Sequence, residues 1–154
     1  MVAWSNWSGK LTAEPARVVP VATEEAIRAE LLTAAESGTT VRTAGTTHSH
    51  HPLLPTNGVI LDTRPLAGLV SADANARTAT FRGGTKIQMT GRPLLEYGLG
   101  LHNQGDIDQQ AVAGAVATGT HGTGPTLGNF SSVVKTARLV LVDGSVVDVS
   151  ADHE

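Results

Sequence analysis

The run Gly105-Asp106-Ile107-Asp108-Gln109-Gln110-Ala111-Val112-Ala113-Gly114-Ala115-Val116-Ala117-Thr118-Gly119-Thr120-His121-Gly122-Thr123-Gly124 constrains this chain more than any other stretch. It is made of small residues and hydroxyls behind two aspartates, and it holds no lysine or arginine. Glycine has no Cβ and tolerates positive φ, so its N–H can meet a phosphate or a ring edge at close range. Successive N–H groups in such turns form anion-binding concavities, and threonine hydroxyls both donate and accept. The alternative reading of the run, standing alone, is a glycine-rich surface loop.

A second segment of the same kind lies upstream, Val41-Arg42-Thr43-Ala44-Gly45-Thr46-Thr47-His48-Ser49. A short β-prone run enters a turn of small residues that ends in a histidine. Together the two segments suggest a cradle for one anionic, extended ligand. With Asn6-Trp7 near the start, the His48 turn, Gly105 to Gln110 and Ala113 to Gly124, four ordered motifs are present. In that combination the chain resembles the flavin-binding domain of the vanillyl-alcohol-oxidase-type flavoproteins. Among them it is most similar to the sugar-lactone oxidases and dehydrogenases. The resemblance runs from about Asn6 to Ser150, and the ordered set is more specific than any single motif.

The remaining sequence limits the alternatives. A chain of 154 residues can bury a core, which must be aliphatic because aromatic residues are only 3%. The net charge of -3 argues against a nucleic-acid or anionic-membrane surface. There is no signal-peptide pattern and no apolar run near the ~20 residues that span a bilayer, so cytosol is the default. The absence of cysteine removes disulfides, thiolate metal sites, iron–sulfur ligation and a cysteinyl flavin link.

The order of elements reads as α+β. A strand is expected over Arg17 to Val21. A helix should follow, capped by Thr23, with Glu24 and Glu25 in its first turn and Gly38 as its stop. Ile27, Leu31, Ala34 and Ala35 fall on one face. Strands are expected at Thr40 to Thr43, Gly58 to Asp62 and Arg77 to Arg82, with a turn at Leu66 to Leu69. Thr85 to Tyr97 reads as a helix interrupted by Gly91 and Pro93. Ala111 to Ala117 reads as a short helix. Val133 to Val142 and Ser145 to Val149 read as strands joined at Asp143-Gly144.

The resemblance implies a PCMH-type FAD-binding domain of two small α/β subdomains, C-terminally truncated just after the hairpin at Asp152-His153-Glu154. The family's large cap domain, which holds the substrate, is absent. A fragment and a split enzyme with a complementary chain both remain open. No catalytic residue falls within this chain. Flavin contacts are expected at Ala44, Gly45, Thr46, Thr47, His48 and Ser49, with Ala44 to Ser49 as the first pyrophosphate wall. Gly105, Asp106, Ile107, Gly114, Ala115 and Thr118 should line the isoalloxazine and ribityl portions. Gly119, Thr120, His121, Gly122 and Thr123 should close the adenine-diphosphate side or the ring edge. With no cation in these segments, N–H groups and hydroxyls must balance the pyrophosphate charge. A Rossmann site does not fit, because no Gly-x-Gly-x-x-Gly turn links a strand to a helix.

In many relatives the histidine at the position of His48 bonds covalently to the flavin's benzenoid-ring methyl group. The alternative is a hydrogen bond within the turn. Thr47 stands where the family usually has glycine, and its branched Cβ resists positive φ. Metal binding by His48, His50, His51 and His121 is disfavoured, since no carboxylate lies beside the cluster. Asp106 and Asp108 read as turn-stabilising rather than as an acid–base pair. Trp4 and Trp7 are expected to cover the domain's edge. The implied whole is an FAD-dependent oxidoreductase acting on a small-molecule sugar lactone, a polyol being the alternative, with no nucleic-acid partner. A non-catalytic flavin-binding module is the rival reading.

Overall fold

A computed structural model describes residues 2–150. The terminal Asp152-His153-Glu154 lies outside the described residues. The chain divides into two compact units, Met1–Pro65 with Lys135–Glu154, and Leu66–Val134.

The first unit opens with a small antiparallel pair, β1 (Trp4–Ser5) and β2 (Thr12–Ala13). β3 (Arg17–Pro20), helix α1 (Glu24–Glu36), β4 (Val41–Ala44) and β5 (Val59–Asp62) follow. The three strands are parallel, in the order β3-β5-β4. Every residue of the central β5 is buried, as a parallel strand covered on both faces should be. Val21, Val59 and Leu61 form a core cluster, with Val19, Ala26, Ile27 and Val41 packed against it. Gly58 leads into β5 where a Cβ would run into the Thr40 carbonyl.

The sequence signals at the ends of α1 are realised. Thr23 has extended backbone and its hydroxyl accepts from the Ala26 N–H at 3.2 Å. Gly38 takes φ 64° and its N–H donates to the Ala35 carbonyl. Of the expected apolar face, Ala34 is buried and Ile27 and Leu31 are half-buried, whereas Ala35 is exposed. Antiparallel β8 (Thr136–Val140) and β9 (Val146–Ser150) complete this unit, around a turn in which Gly144 has φ 76°.

The second unit contains antiparallel β6 (Leu69–Asp73) and β7 (Thr78–Phe81), α2 (Gly91–Leu95) and α3 (Val112–Ala117). Ile87, Ala115 and Phe130 form its core cluster, joined by Leu101, Val112 and Val116. Three expectations need correction here. Leu69 begins a strand rather than ending a turn, because it pairs with Phe81. The expected helix over Thr85 to Tyr97 is broken. Lys86 bridges to Ala111, a 3₁₀ turn covers Ile87–Met89, and α2 starts at Gly91 so that Pro93 sits in a first turn that needs no N–H from it. The expected strand from Val133 is shorter, because Asn129 caps a 3₁₀ turn at Phe130–Val133 by accepting from the Ser132 N–H.

At the end of β5, Asp62 is 9% exposed and is gripped by Arg64, with contacts of 2.8, 3.0 and 2.6 Å from the guanidinium and 3.0 Å from the backbone N–H. Burial opposes ionisation of this carboxyl, but the Arg64 hydrogen bonds and charge outweigh it and hold the carboxyl below its ordinary value of 3.8. A depressed folded-state pKa stabilises the fold above the unfolded value and loses that stabilisation as pH falls through the folded one. Asp62→Asn should therefore lower stability at neutral pH by about 1–2 kcal/mol, since Arg64 is largely exposed. The deficit relative to wild type should shrink as pH falls below about 4, which urea melts across pH will show.

Candidate functional site

β4 ends at Ala44, whose carbonyl accepts from the N–H and the hydroxyl of Thr63 at 2.9 and 3.1 Å. The chain then leaves the carboxyl end of a parallel sheet, the edge at which open α/β sheets bind ligands. Among the described residues, the backbone N–H groups of Gly45, Thr46, Thr47 and Ser49 donate to no protein acceptor. All four of these residues are half-buried.

Thr47 takes φ 59°, so the turn keeps the left-handed residue that glycine usually supplies, in spite of the resistance of the threonine Cβ. A β-branched residue in the left-handed region is a true outlier, strained by about 1–3 kcal/mol. The neighbouring contacts show what offsets it. The Trp7 N–H donates to the Thr47 hydroxyl at 3.1 Å, and the Trp7 indole N–H donates to the His48 carbonyl at 3.3 Å. Asn6 donates to the Ser49 carbonyl at 3.3 Å. The Trp7 and His48 rings stack, with centroids 4.9 Å apart and planes inclined by 17°. Asn6 is itself buried, and its side-chain oxygen accepts from the Leu11 N–H. Trp7 is thus more than the edge cover expected from sequence. The Asn6-Trp7 dipeptide ties down three consecutive residues of the turn.

In the second unit, the glycine–threonine run separates into two parts. The N–H groups of Thr118, Gly119 and Thr120 donate to the carbonyls of Gly114, Val116 and Ala115 and so close α3. They are not available as phosphate donors. By contrast, the N–H groups of Gly105, Asp106, Ile107, His121, Gly122 and Thr123 have no protein acceptor among the described residues.

The hydroxyls are also committed, in a definite direction. Thr118 Oγ1 lies 2.9 Å from the Gly114 carbonyl, which can only accept, so Thr118 donates there. Its 3.3 Å contact with Thr120 Oγ1 therefore takes its proton from Thr120. Thr120 in turn accepts from the Gln110 side-chain amide at 3.0 Å. The polarity runs from Gln110 through Thr120 and Thr118 to Gly114, an arrangement in which each bond strengthens the next. While it holds, Thr118 and Thr120 offer a ligand lone pairs, not protons. The expectation that these hydroxyls help neutralise a phosphate is corrected accordingly. Gln110, absent from the expected site residues, orients the run.

The glycines differ in what they do. A Cβ on Gly105 would meet Thr120 Cγ2 at 2.9 Å, and one on Gly122 would enter the Gln104 carbonyl and the Asn103 amide oxygen. Gly119 has φ 63°. These three are explained by the chain itself. Gly114 is not. It lies inside α3 and a Cβ there would find nothing within 4 Å. Glycine within a helix costs about 0.5–1 kcal/mol relative to alanine. Its use where the protein leaves open space fits a position that a ligand approaches closely.

Among the polar side chains, Asp108 accepts from Gln109 at 2.8 Å, and its carbonyl accepts from the Gln88 N–H, which ties the loop to the 3₁₀ turn. His121 is exposed, and its Nδ1 lies 2.9 Å from the Gly122 carbonyl, which puts a proton on Nδ1. His50 packs edge-on to Trp7, centroids 5.9 Å apart. Among the described residues, no group of three or more His, Asp or Glu side chains is arranged to hold a metal ion. Nor is any helix long and apolar enough to cross a membrane.

This division of the glycines is open to a stability test. Gly122→Ala should destabilise by about 1–3 kcal/mol through the backbone clash, whereas Gly114→Ala should be neutral or stabilising by about 0.5–1 kcal/mol. Urea melts of the two variants without added ligand will check both signs.

The chain is similar to known proteins over most of its length. Residues 15–150 match the family model described as FAD binding domain. The L-gulono-1,4-lactone dehydrogenase of Mycobacterium tuberculosis is 37% identical over 147 residues, covering 96% of this chain and 34% of that protein. The alditol oxidase of a Streptomyces species is 33% identical, covering 96% and 35%. The D-arabinono-1,4-lactone oxidase of Eremothecium gossypii is 31% identical, covering 98% and 29%. The chain thus spans about a third of the length of these relatives. In fold it is similar to 6-hydroxy-D-nicotine oxidase of Arthrobacter nicotinovorans, with a TM-score of 0.87 at 20% identity over 97% of this chain and 33% of that one. It is also similar to the glucooligosaccharide oxidase of Acremonium strictum, which carries a 6-S-cysteinyl, 8α-N1-histidyl FAD. There the TM-score is 0.85 at 24% identity, over 96% of this chain and 32% of that one. With its ordered motifs, its α+β fold and a family match over most of its length, this chain belongs to the FAD binding domain family of the vanillyl-alcohol-oxidase type.

Proposed function

We propose that this chain is the cofactor-holding part of an FAD-dependent oxidoreductase that oxidises a sugar-derived lactone. The observation that carries the reading is the set of backbone N–H groups left without acceptors in both motif segments, together with the unexplained glycine at 114. When bound, FAD would supply hydride acceptance. The chain's own residues bind and orient it. In this reading the N–H groups of Gly45 to Thr47 and Ser49 serve the pyrophosphate. Those of Gly105, Asp106 and Ile107 serve the flavin end, and Gly114 lets that part of the cofactor approach α3. Gly122 and Thr123 add donors, and the Thr118 and Thr120 oxygens accept from ligand hydroxyl or N–H groups. The relatives that are lactone dehydrogenase and lactone oxidase support the substrate class. The alditol oxidase relative, at 33% identity, keeps a polyol as the second reading.

We further propose that His48 is the point of covalent attachment, as the histidyl FAD of the glucooligosaccharide oxidase suggests. The imidazole nitrogen would bond to the ring-methyl carbon. One methyl hydrogen and the imidazole N–H hydrogen would pass to the flavin. The two electrons gained there would leave to dioxygen, giving hydrogen peroxide. A neutral imidazole is a competent nucleophile for this bond.

Two outcomes are expected. The chain should bind FAD more tightly than FMN in fluorescence quenching, since the second phosphate and the adenine add contacts; equal affinities would remove the pyrophosphate assignment. Gly114→Val should lose flavin while melting like wild type, because a Cβ there meets nothing within 4 Å. Gly91→Val, at a helix start where a Cβ is equally unhindered, should keep it.

A further inference from the structure

We propose that Trp7 is a positioning residue that fixes the plane of the His48 imidazole for bonding to the flavin. This rests on the reading of His48 as the attachment point. Trp7 lies 41 residues from His48 in sequence, and three separate contacts join it to the His48 turn. Its backbone N–H holds the Thr47 hydroxyl and its indole N–H holds the His48 carbonyl. The first holds the side chain of the residue before the imidazole and the second holds the backbone just after it. The ring stack then restrains the side-chain torsion.

The geometry suits a nucleophile. The centroid distance of 4.9 Å lies within the range of attractive aromatic pairs. Stacking occupies a face of the imidazole, whereas a nitrogen lone pair lies in the ring plane. Trp7 can therefore restrain the ring without covering the direction along which a C–N bond forms. An imidazole with a wider range of torsion would sample that direction less often, and misplacement by about 1 Å can slow an oriented reaction on the order of 100-fold. The strained φ of 59° at Thr47 shows that the turn is held where it would not settle unaided. Trp7 is 54% exposed, so its replacement removes little from the core. The indole thus costs exposed apolar surface, and its three contacts with this turn account for its presence there.

The test uses the full chain and the variants Trp7→Leu, Trp7→Phe and His48→Ala. The flavin-free proteins are first compared by proton NMR of the His48 ring. In wild type the stacked indole should move the imidazole protons upfield. Trp7→Leu should abolish that shift and Trp7→Phe should retain part of it. Each protein is then incubated aerobically with FAD, and flavin that survives denaturation is followed by intact mass. Trp7→Leu should attach FAD on the order of 10- to 100-fold more slowly than wild type, with reversible FAD affinity preserved. Trp7→Phe should recover most of the rate.

Attachment by Trp7→Leu at the wild-type rate would overturn the proposal. So would equal loss of reversible binding, which would mean that Trp7 merely supports the fold, or a Trp7→Phe as slow as Trp7→Leu. A wild-type chain without covalent flavin, or a His48→Ala variant that keeps it, would overturn the attachment reading itself and this proposal with it. The wild-type and His48 measurements therefore report on the attachment, and the Trp7 variants report on the positioning.

Discussion

The hydrogen bonds that close α3 decide what the glycine–threonine run can do. A backbone N–H must find an acceptor, and at the end of this helix the carbonyls of Gly114, Ala115 and Val116 are the acceptors at hand. They take the N–H groups of Thr118, Gly119 and Thr120. The donors before and after that stretch are left without protein acceptors among the described residues. Gln110 extends the same logic to side chains, because its amide sets the direction of the Thr120 and Thr118 hydroxyls. Part of the motif is therefore scaffold, and the scaffold determines which chemistry the rest presents.

The His48 turn follows a similar plan by different means. Asn6 and Trp7, in the loop between β1 and β2, bond to Thr47, His48 and Ser49. A threonine in the left-handed region is tolerated because its hydroxyl gains a backbone donor. In both segments the candidate donors are uncharged backbone N–H groups. Such preorganised donors need no reorganisation when charge arrives, which is what a cofactor site with no lysine or arginine in its binding turns requires.

Much of this was legible from residue types. Thr23 and Gly38 marked the ends of α1, Asp143-Gly144 marked a hairpin, and the two glycine–threonine segments marked the candidate site. What sequence hid was the effect of distant partners. Trp7 looked like edge cover because nothing local links it to a residue 41 positions away. Thr47 looked like an obstacle because steric preference was visible and the compensating bond was not. The hydroxyls of Thr118 and Thr120 looked like phosphate donors because a sequence shows a hydroxyl's capacity but not the direction imposed on it. The region from Thr85 to Tyr97 misled for a related reason: its apolar spacing is helical, yet Lys86 is drawn into a bridge with Ala111 and Pro93 fixes where a helix can begin.

The central claim is that FAD is held by particular backbone N–H groups that the fold leaves without protein acceptors. Amide hydrogen exchange with and without FAD, resolved to single residues, tests this most directly. The N–H groups of Gly45, Thr46, Thr47, Ser49, Gly105, Asp106, Ile107, Gly122 and Thr123 should exchange fast in the free chain and become protected when FAD is added. Those of Thr118, Gly119 and Thr120, already bonded within α3, should change little. Protection confined to Thr118–Thr120, or FAD binding that leaves those nine amides unprotected, would contradict this.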